Sequence, residues 1–322
     1  MALRCLCGLM LVLAAAYGQA QNYPARPISL VVPFAPGGPM DTQGRPLAAA
    51  MSKHLGQPVL IENIGGAGGT IGVARAAKAA PDGYTILMYH IGMATSPALY
   101  RKLDFDPLTD FDYVGLAFYG ANVLVARSAF PSRSFADLVA YVRANKERVT
   151  VAHAGVGSVA QLSALLFMNA LQTNLTQVGY KSTGQAMNDV VGGRVDLLFD
   201  SLSTATVQIK AGKLVAYGVT TRARQSVLPD VPTLEELGLQ NFEMANWVAL
   251  YAPRNTARPA LERLVAALQG ALRDPELKAI LARLGNEPVT QELATPAALA
   301  AHLRAEIAKW TPVIKKAGIY AN

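Results

Sequence analysis

Two glycine-rich turns define the chemistry open to this chain. Pro33-Phe34-Ala35-Pro36-Gly37-Gly38-Pro39-Met40-Asp41 follows the apolar run Ile28–Val32, and Asn63-Ile64-Gly65-Gly66-Ala67-Gly68-Gly69-Thr70 follows residues 59–61. Each turn leads into a helix-like stretch. Glycine reaches positive φ and lets a ligand approach the main chain closely. A helix start leaves backbone N–H groups unpaired, and these donors, with the positive end of the helix dipole, favour an anion such as a carboxylate. A third turn, Ala154-Gly155-Val156-Gly157-Ser158, opens another helix-like stretch. The pattern predicts an acidic ligand held largely by backbone.

The polar side chains near these turns each admit two readings. Asp41 is either the N-cap of the first helix or a group on the ligand side, where its charge would repel a carboxylate. Asp200, at the end of a strand over residues 195–199, lies where α/β proteins collect ligands. It accepts an ammonium group if the ligand is an amino acid, or serves as a turn residue paired with Ser201 or Ser203. His90 and His153 each follow a strand; His153 reads as a neutral structural hydrogen-bonding group and His90 as a candidate ligand contact. His54 and His302 read as helix-surface residues. With 4 histidines and no His-x-x-x-His or Glu-x-x-His spacing, no metal site and no cofactor are expected.

Enzyme motifs fail on spacing. Gly66-Ala67-Gly68-Gly69-Thr70-Ile71-Gly72 places Ile71 where a dinucleotide fingerprint needs its third glycine, and no Gly-Lys-Ser/Thr ending makes a phosphate loop. Ser158 lacks the Gly-x-Ser-x-Gly elbow, since Val156 and Ala160 do not fit that frame. An exported hydrolase is the least favoured alternative.

Positioning these turns requires a large core. The chain has 322 residues, 52% hydrophobic and 16% charged, so two domains and little disorder are expected. Arg4, the apolar run 5–17 and Gly18-Gln19-Ala20 have the form of a secretory signal with cleavage before Gln21. Both cysteines, Cys5 and Cys7, fall within that segment, which leaves the mature chain without disulfides or thiol chemistry. The combination predicts export to a bacterial periplasm. Removal of Arg4 takes the formal charge from +7 to +6, an excess that suits an anionic ligand or a solvated surface equally. Basic residues are scattered without aromatics, so no nucleic acid is expected as a partner.

Strand and helix patterns alternate along the chain, the signature of parallel α/β architecture. Helices are expected over 41–54, 71–80, 135–145 with Ser134 as cap, 159–171 and around 185–191. Strands are expected at 85–88, 123–126, 149–152, 178–180, 195–199, 214–219 and 247–251. The last part is helical: Leu261, Leu264, Val265, Leu268 and Leu272 form one apolar stripe, followed by helices begun by Asp274-Pro275 and Thr295-Pro296. Two crossing segments, near 116–125 and 245–251, would join the domains as a hinge, with a ligand between them.

At this point the residues resemble a known family, the substrate-binding receptors of tripartite tricarboxylate transporters, also called Bug proteins. The matches run in order: Pro33-Phe34-Ala35-Pro36-Gly37-Gly38 with Asp41, Gly66-Ala67-Gly68-Gly69 with Gly72, Ala80-Pro81-Asp82-Gly83-Tyr84-Thr85, Ala154-Gly155-Val156-Gly157-Ser158, Tyr180-Lys181, Gly192-Gly193-Arg194-Val195-Asp196, Leu228-Pro229-Asp230-Val231-Pro232-Thr233 and Ala305-Glu306-Ile307-Ala308-Lys309-Trp310. The resemblance implies a two-lobed type II periplasmic-binding-protein fold, each lobe a βα sheet, joined by a two-segment hinge. It places a signal peptide at 1–20, one lobe at 21–122 with 247–322, and an inserted lobe at 123–246. It implies a monomer without catalysis that binds a small organic acid for the membrane subunits of such a transporter, or for a sensor ectodomain. Phe34, Ala35, Pro36, Gly37, Gly38 and Gly66, Ala67, Gly68, Gly69 would contact ligand from the first lobe. Ala154, Gly155, Gly157 and Ser158 would close from the second. Gln161, where the family more often has threonine or histidine, Ser182 after Tyr180-Lys181, and Tyr89-His90-Ile91-Gly92 depart from the pattern. These positions bear on a ligand whose identity, dicarboxylate, tricarboxylate, aromatic acid or amino acid, stays open.

Overall fold

The computed structural model describes residues 23–318, apart from Asn241 and Ala245, together with Tyr320. The expected signal peptide and both cysteines lie outside the described residues.

From the first residues, β1 (Ile28–Val32), α1 (Pro39–Leu55), β2 (Val59–Asn63), α2 (Thr70–Ala77), β3 (Thr85–His90) and α3 (Gly92–Leu99) alternate. β4 (Phe111–Gly120) and β5 (Asn122–Arg127) are separated by Ala121 alone. Then follow α4 (Phe135–Asn145), β6 (Thr150–His153), α5 (Val159–Leu171), β7 (Thr176–Gly179), α6 (Thr183–Val191), β8 (Leu197–Ser201), α7 (Leu202–Lys210) and β9 (Leu214–Val219). The chain ends with β10 (Asn246–Pro253), α8 (Arg258–Arg273), α9 (Pro275–Arg283), β11 (Asn286–Pro288) and α10 (Pro296–Ala317).

These strands form two sheets, ordered β11-β4-β10-β3-β1-β2 and β7-β6-β8-β5-β9. β1 runs parallel to β2 and β3, and β6 parallel to β7 and β8. β10 returns antiparallel between β3 and β4, and β5 runs antiparallel to β8 and β9. Helices cover both faces of the parallel parts, so central strands read as unbroken apolar runs. All of β10 is buried, and Leu30, Val31, Val32, Leu87 and Met88 are wholly buried around it. Asn122 pairs with Ser201 in the second sheet and Asn246 with Gly120 in the first, one residue across each expected lobe edge.

Local signals account for most of these elements. Ser134, Ser158, Asp274 and Thr295 cap their helices through side-chain oxygens. The expectation that Asp41 caps α1 is corrected: the helix starts at Pro39 with Gly38 as cap. Proline's fixed φ suits the first helical position, which moves the start two residues earlier. Asp41, in the first turn, reaches back to the Gly37 N–H at 3.1 Å. The ten-residue β4 was not foreseen because Gly115 and Gly120 break its pattern. Gly115 is required by packing, since a Cβ there would lie 2.8 Å from the Ala294 carbonyl carbon. Helices α3, interrupted by Pro97, and α7 were also missed.

Candidate functional site

Parallel neighbours place their C-terminal ends along one edge, and the chain leaves each end to begin a helix. In the second sheet β6, β7 and β8 therefore deliver the starts of α5, α6 and α7 to one place. Their caps Ser158, Ser182 and Ser201 accept backbone N–H groups from Gln161, Gln185 and Ser203 at 3.3, 3.4 and 3.3 Å. From the first sheet, α1 brings Pro39 and Met40 to the same cleft. Ser158, Val159, Ala160, Ser182, Thr183 and Ser201 line it with Phe34, His90, Asn122, Ala154, Phe199, Asp200 and Asn246. Four helix N-termini thus converge on one cleft. Among the described residues no lysine, arginine or glutamate lines it.

The titratable groups in the lining are His90 and Asp200. His90 Nδ1 accepts the Gly92 N–H at 2.9 Å, which leaves the imidazole proton on Nε2. Burial pushes its pKa down to about 3, so it is a neutral donor at physiological pH. Its ring stacks on Tyr89 at 4.7 Å and lies 5.1 Å from the Phe34 ring. Asp200 is 1% exposed; Oδ2 accepts the Thr204 hydroxyl, and Oδ1 has no hydrogen-bond partner. Burial pushes its pKa up to about 6, opposed chiefly by the Thr204 hydroxyl; the Thr183 hydroxyl and the Ser201 N–H add a weaker pull from nearby, and neither makes a hydrogen bond to Oδ1. Of the two readings offered for Asp200, the turn-residue one named Ser201 or Ser203 as its partner; the hydroxyl that donates to it is Thr204. Asn246 Oδ1 is likewise buried without a partner.

The glycine turns are arranged differently from the lining. A Cβ on Gly68 would sit 2.0 Å from Val156 O, and one on Gly155 would sit 2.5 Å from Gly68 N. The second and third turns are therefore in backbone contact, and only glycine fits. The Tyr100 hydroxyl lies 2.6 Å from Ala67 O and 2.7 Å from Val156 O, spanning the junction. Tyr89 secures the same turn by donating to Gly68 O at 2.7 Å, while Gly69 lies against the Tyr89 ring and Gly66 against Ile71. On the other flank Gly37 and Gly38 meet Gly184 and Ser182, where a Cβ on Gly184 would sit 2.6 Å from Gly37 O. Ala35 and Pro36 belong to this same loop, beside Gly65.

Of the residues expected from sequence, Phe34, His90, Ala154, Ser158 and Asp200 line the cleft. Asp41 is tied to Arg45 at 2.8 Å. Despite burial, that guanidinium and the Gly37 N–H hold its carboxyl below the ordinary range. Gln161 Oε1 accepts the Gly157 N–H at 2.8 Å, bracing the third turn from beneath. Tyr180 donates to Asp189 at 2.8 Å, away from the lining. His153, neutral because burial lowers its pKa, accepts the Gly155 N–H at 3.0 Å. Ser182, noted as a departure from the family pattern that bears on the ligand, also lines the cleft, whereas Asn122, Asn246, Thr183 and Ser201 were missed as lining residues. The spacing Ser182-x-x-Gln185 repeats the capping-box pattern of Ser158-x-x-Gln161 and is the signal that would have placed the start of α6 at Thr183.

Such an arrangement can bind and orient an anion through neutral donors. Among the described residues no group of three or more His, Cys, Asp or Glu side chains is placed to hold a metal, and no helix is long and apolar enough to cross a membrane.

Comparisons with known proteins agree with the two-sheet fold. The family model described as "Tripartite tricarboxylate transporter family receptor" matches residues 44–319. A protein of Agrobacterium vitis, named as the UPF0065 protein in the TAR-I ttuE-ttuC' intergenic region, is 50% identical over 93% of this chain and 87% of its own length. The solved structure of periplasmic binding protein BugD is 41% identical, covers 93% of this chain and 100% of that one, and superposes with a TM-score of 0.91. MatC from Rhodopseudomonas palustris, solved with bound malate, is 39% identical over 91% of this chain and 100% of that one, with a TM-score of 0.87. The two-sheet α/β architecture is thus that of periplasmic binding proteins, and the relatives are receptors rather than enzymes.

Proposed function

We infer function from kinship: the chain belongs to the tripartite tricarboxylate transporter receptor family, and we propose that it is an exported periplasmic receptor for a small carboxylic acid. The two sheets act as lobes that close on the acid, and the closed form delivers it to the membrane subunits of a transporter of that type. The observation that carries the reading is the convergence of four helix starts on a cleft with no cationic side chain among the described residues. Helix N-termini stabilise an anion without a buried lysine or arginine, whose desolvation would oppose closure. The bound malate of MatC supports a dicarboxylic acid here. Phe34, Pro39, Met40, Val159 and Phe199 supply the apolar walls that fix the length of the carbon chain.

A thermal-shift screen of the mature protein against mono-, di- and tricarboxylic acids, with their amides as uncharged controls, tests this. At a concentration of about 100 Kd, a true ligand stabilises the native state by about 2.7 kcal/mol. Acids should raise the melting temperature where their amides do not. A screen in which only neutral or cationic solutes stabilise the protein would overturn the assignment.

A further inference from the structure

Asp200 places a second carboxylate inside a cleft shaped for acids. It lines the cleft at the end of β8, 1% exposed, with Oδ2 accepting from Thr204 and Oδ1 unpartnered. Among the described residues no neighbouring element supplies a free countercharge: on α1, Arg45 is held by Asp41 at 2.8 Å. On β5, Arg127 is at the opposite end of the strand and pairs with Asp196 at 2.8 Å. Asp189 of α6 is held by Arg194 and Tyr180. Lys210 is the last residue of α7, and α5 carries no charged side chain. His153 ends β6 as a neutral acceptor of the Gly155 N–H. Across the cleft His90 is neutral and presents only its Nε2 proton.

A dicarboxylate entering this space brings negative charge against Asp200 where little water remains to screen it. Two carboxylates in such a setting do not both stay ionised; they share a proton. Building on the acid-receptor reading, we propose that the acid is captured together with one proton, shared between Asp200 Oδ1 and a ligand oxygen. The proton leaves hydronium or a buffer acid in solution, whose bond to it breaks as one O–H bond forms at the carboxyl. It resides at Oδ1 because Oδ2 already accepts from Thr204. The orphan acceptor thereby becomes a donor, and the ligand oxygen is its partner. Burial already brings Asp200 to about 6, so a proton is within reach near neutral pH. A ligand ammonium or hydroxyl donating to a charged Asp200 would fit the same space, but would take up no proton.

The experiment is isothermal titration calorimetry with malate and succinate as probes, from pH 6 to 8, in paired buffers of different ionisation heat. In the upper half of that range both probe carboxyls are ionised, so uptake reports on the protein. Near pH 8 about one proton should be absorbed per probe bound, falling as pH approaches 6 and Asp200 is already protonated in the free receptor. Over the upper part of this range affinity should weaken about tenfold per pH unit, the slope of a single linked proton. Asp200→Asn should bind with no uptake and a flat pH profile. Binding by the unmodified protein without proton uptake at pH 8 would overturn this inference alone, whatever the variant does. Failure of both probes at every pH would remove the dicarboxylic-acid reading and this inference together, and would leave the wider acid-receptor reading to the thermal-shift screen.

Discussion

Replacing Gly68 by alanine tests whether the second and third glycine turns meet in the ligand-bound state. Gly68 has φ 64° and ψ 13°, in the left-handed region, where alanine costs about 1 kcal/mol. That local cost lowers the melting temperature by about 2–4 °C without unfolding the protein. The larger effect is steric. The new Cβ would stand 2.0 Å from Val156 O, where ordinary contact begins at 3.4 Å, so the turns must separate by about 1.4 Å. Separation also pulls the Tyr100 hydroxyl from one of the carbonyls it spans, Ala67 O or Val156 O. Forcing atoms into a packed junction costs about 1–3 kcal/mol. Charged to the closed state alone, this weakens ligand binding about 5- to 150-fold. Calorimetric titration of the best acid from the screen reads the effect directly. Gly193→Ala is the control: Gly193 has φ 79° with nothing within 4 Å of its added Cβ. It should show a similar loss of melting temperature with unchanged affinity. Wild-type affinity in Gly68→Ala would refute the claim that binding brings these turns together.

Three further outcomes follow from the same contacts. Tyr100→Phe removes the hydroxyl spanning Ala67 O and Val156 O, and should weaken acid binding about 2- to 15-fold, the equivalent of about 0.5–1.5 kcal/mol for one hydrogen bond, as read by titration. Unliganded Asp200→Asn should resist urea better than the unmodified protein at pH 8. The unfolded carboxyl ionises near 3.8 and the folded one near 6, so ionisation disfavours the folded state increasingly as pH rises between them, by about 3 kcal/mol once complete. The advantage should shrink as pH falls toward 4; an advantage that is constant with pH would contradict the buried-carboxylate account. Gln43 is fully buried on α1, and its Nε2, with two hydrogens to donate, lies 3.2, 3.2 and 3.3 Å from Ser201 Oγ, Ser203 Oγ and Asn286 Oδ1. Gln43→Ala strands these groups beside a void and should lower stability by about 2–3 kcal/mol in urea titration.

Short-range chemistry made much of the fold legible. The α5 helix was readable from Ser158 and the apolar residues behind it, and α4 from Ser134, because caps and periodicity act within a few residues. The apolar stripe of α8 likewise predicts the face it buries. Where glycine or proline interrupts the pattern without ending the element, as at Gly115 in β4 and Pro97 in α3, burial outweighs local preference and the reading fails. Asp41 shows the same limit at finer scale: its type marks a helix start, and only the backbone shows that Pro39 begins it.

By itself the sequence determined the alternation of strands and helices, the three glycine turns, and the ordered motifs that identify the family. The tertiary structure decided what those turns face. Strand order β7-β6-β8 sets three parallel C-terminal ends side by side, and so gathers α5, α6 and α7 around one cleft although their starts are far apart in sequence. It also sets Gly68 against Val156 rather than against open space, and leaves Asp200 Oδ1 unpartnered among neutral groups. Caps and turns are specified by adjacent residues, whereas convergence and the electrostatic surroundings of a buried carboxylate depend on which distant strands pair.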